Sequence, residues 1–267
     1  MKKIGLFILM SGLIGSVFAQ NEQTSPASIA NNGKVWGSIY QQRAAEYKAL
    51  CFQAYNIARF RLDAALKKHH TKPFAVVTDI DETLLDNSLY DAQRALNNQE
   101  FDSKTWKEWT GKGICDTVPG APSFFKYAAS KGVAVYYITN RDEDERAGTI
   151  KNLKLYHLPY VDDQHLILKS TTSSSKESRR LNVLKTHEII LLCGDNLPDF
   201  DAWYDNHPSE ENRQAATEKL RKAFGNKYII IPNMSYGDWE NSMFNYNYKL
   251  TNSQRDSIIK AKIKVNN

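Results

Sequence analysis

Five short apolar runs punctuate the chain: Phe74 to Thr78, Val133 to Ile138, His165 to Leu168, Glu188 to Cys193 and Tyr228 to Pro232. They are rich in β-branched and aromatic residues and too short for ordinary helices, so each predicts a strand buried on both faces. Outside them the apolar period changes. Tyr40, Ala44, Tyr47, Cys51, Ala54, Tyr55, Ala58 and Leu62 recur at three- and four-residue intervals, predicting a helix within Trp36 to Lys68. Lys72-Pro73 breaks that pattern before the first strand. Ser123 to Lys131, Asp142 to Leu153, Lys176 to Leu184 and Ser209 to Phe224 predict further helices, with Gly132 and Gly225 as stops. Strands alternating with helices in this way predict an α/β fold built on a parallel sheet with helices on both faces.

Two stretches fall outside the alternation. Asp86 to Gly113 is polar and aromatic, with Tyr90, Phe101, Trp106 and Trp109, and is longer than an ordinary connection. Such excursions are usually functional, so a lid of irregular helix and loop is expected here. After the last strand, Trp239, Phe244, Tyr246, Tyr248 and Ile258 mark a helical segment packed outside the sheet. Its aromatic content makes it a candidate surface for a homodimer.

The ends of the strands carry the chemistry. Asp79 and Asp81 follow the first strand, Thr139-Asn140 the second, Lys169 and Lys176 the third, and Asp195 and Asp199 the fourth. Residues i and i+2 at a strand end share a side, so Asp79 and Asp81 face one crevice. The carboxyl ends of parallel strands are where open α/β sheets bind ligands. Four carboxylates there repel one another unless a cation intervenes. All-oxygen ligation suits a single Mg²⁺ ion. Hydroxyl, amide and ammonium donors match the oxygens of a phosphoryl group, which points to a phosphomonoester rather than an acyl or glycosyl substrate.

Charge and cysteine content narrow the partners. The formal charge is +5, and two of the positive charges are Lys2 and Lys3. No dense basic patch interleaved with aromatics is present, so a nucleic-acid polymer is not an expected partner. Lys2 and Lys3, the apolar stretch Ile4 to Val17 and the small residues of Val17-Phe18-Ala19 read as a cleavable secretory signal peptide. With no Cys near the cut, a soluble periplasmic or secreted protein without a stable membrane anchor is expected. Of three cysteines, Cys193 sits in an apolar run as a buried thiol. Cys51 and Cys115 are available for a disulfide, and the sequence leaves pairing and free thiols both open. His69-His70 is not a metal pair, because adjacent helix residues do not share a face.

Two long motifs carry a resemblance to a known family. Asp79-Ile80-Asp81-Glu82-Thr83, followed by Asn87 and Tyr90, resembles the first motif of class C bacterial acid phosphatases. Ile190-Leu191-Leu192-Cys193-Gly194-Asp195-Asn196-Leu197-Pro198-Asp199-Phe200 resembles their second signature. These are DDDD phosphohydrolases of the haloacid-dehalogenase-like superfamily, and the resemblance covers roughly Trp36 to the C-terminus. It implies a Rossmannoid sheet with a smaller, mainly helical accessory domain. The division expected is residues 1–19 as signal peptide, 20–34 as flexible leader and 35–70 as the N-terminal helical part of the accessory domain. A phosphatase core over 71–237 follows, with a helical insertion at about 86–118, and then a helical segment over 238–267.

The resemblance also implies roles. Asp79 would be the nucleophile forming an aspartyl-phosphate, and Asp81 the acid and then the base. Mg²⁺ would be held by Asp79, the Asp81 backbone carbonyl, Asp195 and Asp199. Thr139, Asn140 and Lys176 would bind the phosphoryl group, Lys176 being preferred to Lys169 because Lys176-x-x-Arg179 matches the family's pattern better. Trp106 and Tyr236 would sandwich the ring of a nucleoside monophosphate or aryl phosphate. Phosphotransfer to an alcohol uses the same residues. A catalytically silent storage or binding relative would be expected to lack the nucleophile, which is present here.

Overall fold

The computed structural model describes residues 28–169 and 173–266. The signal-peptide reading and most of the expected leader fall outside them. All five expected strands form, as β1 (Phe74–Thr78), β4 (Ala134–Ile138), β5 (Leu166–Ile167), β6 (Glu188–Gly194) and β7 (Tyr228–Ile230). They make one parallel sheet in the order β5-β4-β1-β6-β7. The chain builds outward from β1 to β5 on one side, then returns to build β6 and β7 on the other. That reversal puts a topological switch point between β1 and β6, where a crevice opens beyond the carboxyl ends.

Strand alternation sets the two faces. Phe74 and Val76 of β1 join the larger core cluster, with Tyr55, Ala58 and Leu62 of helix α2 (Ala45–Leu66) and Phe124 and Phe125 of helix α5 (Ala121–Ser130). Ala75 and Val77 point the other way, into a cluster with Val183 of helix α7 (Glu177–Thr186) and Phe200. In β6 the alternation slips once. Ala75 pairs with Ile189 but Val76 with Leu191, so a bulge at Ile190 resets the register. The bulge lets Leu192 return to the Ile189 side while Leu191 and Cys193 face α2.

The expected helix Trp36 to Lys68 is two helices. Helix α1 (Ile29–Arg43) begins inside the stretch expected as a leader, capped by Ser28, whose Oγ accepts from the Asn31 amide. It ends at Ala44, which is extended at φ −80°, ψ 126°, and α2 starts at once. The two helices serve different partners. α1 packs on helix α3 (Ser88–Leu96) and helix α10 (Asn252–Lys262), while α2 packs on α5, β6 and β7. One straight helix could not reach both.

The excursion after β1 contains α3 and helix α4 (Ser103–Lys112). Its ends are tied by a two-stranded antiparallel ladder, β2 (Leu85–Asp86) with β3 (Asp116–Thr117). Helix α6 (Arg146–Leu155), helix α8 (Glu210–Leu220) and helix α9 (Asp238–Met243) complete the set. No helix among the described residues is long and apolar enough to cross a membrane. Cys51, Cys115 and Cys193 are all buried free thiols. The pairing left open for Cys51 and Cys115 therefore does not occur. The Cys115 Sγ instead donates to Asn87 Oδ1 at 3.2 Å.

Candidate active site

The turn that follows β1 sets the carboxylates in place. Ile80 O accepts from the Leu84 and Leu85 amides, and Leu85 O accepts from the Glu82 amide. This tight winding forces Glu82 into the left-handed region at φ 52°, a conformation that costs an L residue about 1–2 kcal/mol. Its buried carboxylate offsets the strain by accepting from the Asn87 amide at 2.8 Å and from the Tyr236 hydroxyl.

Asp79, Asp195 and Asp199 converge at the switch point, each offering an oxygen within 4.8 Å of the others. The Asp79 amide donates to Cys193 O at 3.0 Å, which ties the end of β1 to β6. Asp195 accepts from Thr83 Oγ1 at 3.1 Å and Asn233 Nδ2 at 2.9 Å. Asp199 caps its own turn, accepting the Asn196 amide at 3.1 Å. The close packing of that turn needs Gly194, where an added Cβ would lie 2.4 Å from Asp199 Oδ2.

The structure separates the two candidate lysines. Lys176, buried at the start of α7, contacts Asp79 Oδ1 at 2.5 Å and Asp199 Oδ1 at 2.6 Å. A cation at a helix N-terminus opposes the helix dipole, and the two carboxylates outweigh that. Lys169 points elsewhere, to Asp142 at 2.7 Å. Burial works against the Lys176 charge, yet Asp199 and Asp79 hold its pKa above the ordinary lysine value.

Asp81 turns away from this cluster. Its carboxylate accepts the Arg141 guanidinium at 2.6 Å and Asn87 Nδ2 at 2.9 Å. Arg141 is almost wholly buried and also donates to Thr149 Oγ1. Asn87 is fully engaged, its Oδ1 accepting from Trp109 Nε1 at 2.9 Å as well as from Cys115. Thr139 is buried and accepts the Arg141 amide on Oγ1 at 3.2 Å. Arg179 donates to Thr139 O and to Asn140 Oδ1, both at 2.6 Å, fixing the end of β4.

A cleft of about 1150 Å³ opens over these groups, lined by Asp79, Asp81, Asn140, Lys176, Asp195 and Asp199. Trp106 and Tyr236 line it too, whereas Thr139 lies behind its wall. Trp106 meets the edge of Tyr90 at a ring separation of 5.2 Å, and the Arg141 guanidinium sits 5.9 Å from its ring. Sequence reasoning gave no role to Glu82, Arg141, Arg179 or Asn233. Glu82 and Arg179 stood inside the quoted motifs and Arg141 directly follows Thr139-Asn140 at a strand end, so only Asn233 was without a signal.

Asp199 is buried and Asp79 and Asp195 are partly buried, and three such carboxylates with one lysine among them fit a divalent cation. The electrostatics agree. Burial lifts the Asp79 pKa to about 7; Lys176 opposes the shift, and Asp199 and Asp81 add to it. Burial also lifts Asp195 well above the carboxylate range, with Asp199 and Asp79 adding. Without a metal, both groups hold protons in the folded chain at pH values where the unfolded chain has lost them. Stability from these groups is thus complete below the ordinary carboxylate pKa, near 3.9, and drains away as pH rises towards 7. In EDTA the protein is expected to melt higher at about pH 5 than at about pH 7.5, with a divalent cation narrowing the gap. Thermal scans in both conditions check this, and a melting point that rises with pH in EDTA would count against it.

Switch-point topology and an acidic cluster at the carboxyl ends define a haloacid-dehalogenase-like core. The family model for the HAD superfamily, subfamily IIIB (acid phosphatase), matches residues 16–239, and the chain belongs to that family. It is similar in structure to the class C acid phosphatase from Bacillus anthracis with tungstate bound. The two share 37% identity and a TM-score of 0.85 over 90% of this chain and 99% of that one. A second structure of the Bacillus anthracis class C enzyme gives the same identity and TM-score over 89% of this chain and 99% of that one. Among curated proteins, the stem 28 kDa glycoprotein of Glycine max is 27% identical over 165 residues, 60% of this chain and 62% of its own. Acid phosphatase 1 of Solanum lycopersicum is 26% identical over 130 residues, 46% of this chain and 50% of its own. The chain thus spans about half to three fifths of the length of these curated relatives.

Proposed function

We propose that the chain is a Mg²⁺-dependent phosphomonoesterase that works through an aspartyl-phosphate on Asp79 and accepts nucleoside monophosphates and aryl phosphates. The observation that carries this reading is the convergence of Asp79, Asp195, Asp199 and buried Lys176 at one switch point. The tungstate in the Bacillus anthracis relative supports it, since tungstate is a tetrahedral oxyanion like phosphate.

Asp79, Asp195, Asp199 and the Asp81 backbone carbonyl would hold the ion. Bound there, Mg²⁺ would relieve the carboxylate repulsion and polarise a phosphoryl oxygen. Lys176 spends two of its three donors on Asp79 and Asp199, which leaves one for the substrate. Arg179 takes the Asn140 oxygen and so leaves the amide Nδ2 to donate. Thr139, buried behind the cleft wall, accepts the Arg141 amide on Oγ1 and so supports the end of β4 from behind.

In the first displacement an Asp79 oxygen bonds to phosphorus. The ester bond breaks, and the leaving oxygen takes a proton from Asp81. In the second, water attacks phosphorus, gives its proton to Asp81, and phosphate departs with Asp79 restored. Arg141 and Asn87 fix the Asp81 carboxyl for both transfers. Uncatalysed monoester hydrolysis is so slow that enzymes supply up to about 10²¹-fold, so positioning, fixed donors and covalent catalysis must share the work. Trp106 and Tyr236 line the same cleft and would flank an aromatic leaving group.

Purified protein with added Mg²⁺ is expected to release phosphate from p-nitrophenyl phosphate and AMP, and to lose that activity in EDTA. Equal turnover in EDTA would overturn the metal assignment, and no release from folded, Mg²⁺-loaded protein would overturn the reading as a whole.

A further inference from the structure

The cleft extends well past the phosphoryl end. Its far wall is helical and charged, made by Lys34 of α1, Asp91 of α3, Glu100, Glu240 of α9 and Arg255 of α10. The pairing among these groups is uneven. Glu100 Oε2 takes both nearby cations, Lys34 Nζ at 2.9 Å and Arg255 at 2.7 Å. Lys34 also lies 3.8 Å from Glu240. Arg94 spends its guanidinium on Glu100 O and Gln99 Oε1. Asp91 makes no ion pair with these cations, and its buried Oδ2, like Glu100 Oε1, has no hydrogen-bond partner.

A buried carboxylate oxygen without a donor costs free energy, which the charge of Lys34 in the same wall offsets only in part. The same cleft is lined by Asp79 and by the rings of Tyr90 and Trp106. We propose that Asp91 is a specificity-determining residue, accepting a hydrogen bond from an N–H or O–H group at the far end of the leaving group. This rests on the reading that the cleft takes nucleoside monophosphates. Two parts of a nucleoside supply that donor, the sugar hydroxyls and an exocyclic amino group on the base. A leaving group without such a donor leaves Asp91 unpartnered in a closed cleft. A site built around a buried polar group rejects analogues that cannot satisfy it.

Nucleosides carry no phosphate, so their binding tests the subsite without catalysis. Adenosine, purine riboside and 2′,3′-dideoxyadenosine are titrated into the full-length protein, following the fluorescence of Trp106 and its neighbours. The analogue that lacks the donor used is expected to bind about tenfold more weakly than adenosine. Purine riboside would show this if the base amino group is read, and dideoxyadenosine if the sugar is read. In Asp91→Ala, with folding checked by circular dichroism, the same ratio is expected to fall to about one. Equal binding of all three nucleosides by the wild type overturns the proposal, as does a preference that survives in Asp91→Ala. Turnover of p-nitrophenyl phosphate by the wild type is measured in parallel. Its absence counts against the phosphatase reading alone.

Discussion

Asp79→Asn is expected to lower kcat for p-nitrophenyl phosphate by about four orders of magnitude or more while the protein stays folded, as loss of a covalent nucleophile does elsewhere. The substitution keeps the shape of the side chain and removes its charge. It takes one carboxylate from a buried cluster whose members raise one another's pKa. The neutral amide also relieves burial of a charge, so a melting temperature at or above that of the wild type is expected in EDTA. The informative result is therefore the combination of lost turnover with preserved stability. Steady-state kinetics beside a thermal scan measures both. Activity within about tenfold of wild type would remove Asp79 from the nucleophile's role.

Arg141→Met is expected to cost about 3 kcal/mol of stability as well as most of the activity. The guanidinium is 1% exposed and its partner Asp81 15% exposed, so methionine leaves a carboxylate in a largely dry site with only Asn87 as donor. Breaking one side of a buried pair is costly because the remaining charge is uncompensated. For a chain of this size the melting temperature should fall by roughly 6–12 °C. Thermal unfolding followed by circular dichroism reads this directly. An unchanged melting point would show that Asp81 is stabilised without its arginine.

These two expectations draw differently on the sequence. Asp79 was legible because its signal is local: an apolar strand runs straight into an Asp-x-Asp pair. All five strands were legible for the same reason. Arg141 was not, because a buried arginine and a solvated one look alike until the partner is known, and Asp81 lies 60 residues away. Glu82 was hidden similarly, since its role depends on a left-handed turn and on Tyr236 from the far end of the core. Lys169 and Lys176 follow the same strand; the Lys176-x-x-Arg179 pattern favours Lys176, and the placement of α7 sets it against Asp79 and Asp199 while Lys169 reaches Asp142. The break at Ala44 had no signal, as two alanines continue a helical pattern. It is imposed by the different partners of α1 and α2. The strand order is likewise a tertiary property, although alternation with helices already restricted it to parallel arrangements.

The central claim is a covalent transfer through Asp79, and the stereochemistry at phosphorus tests it most directly. A substrate whose phosphoryl group is made chiral with oxygen isotopes and sulfur is turned over, and the configuration of the product is determined. Each in-line displacement inverts phosphorus, so attack by Asp79 followed by attack of water predicts net retention. Net inversion would mean that water attacks the substrate directly, and Asp79 would then be a metal ligand or a base rather than the nucleophile.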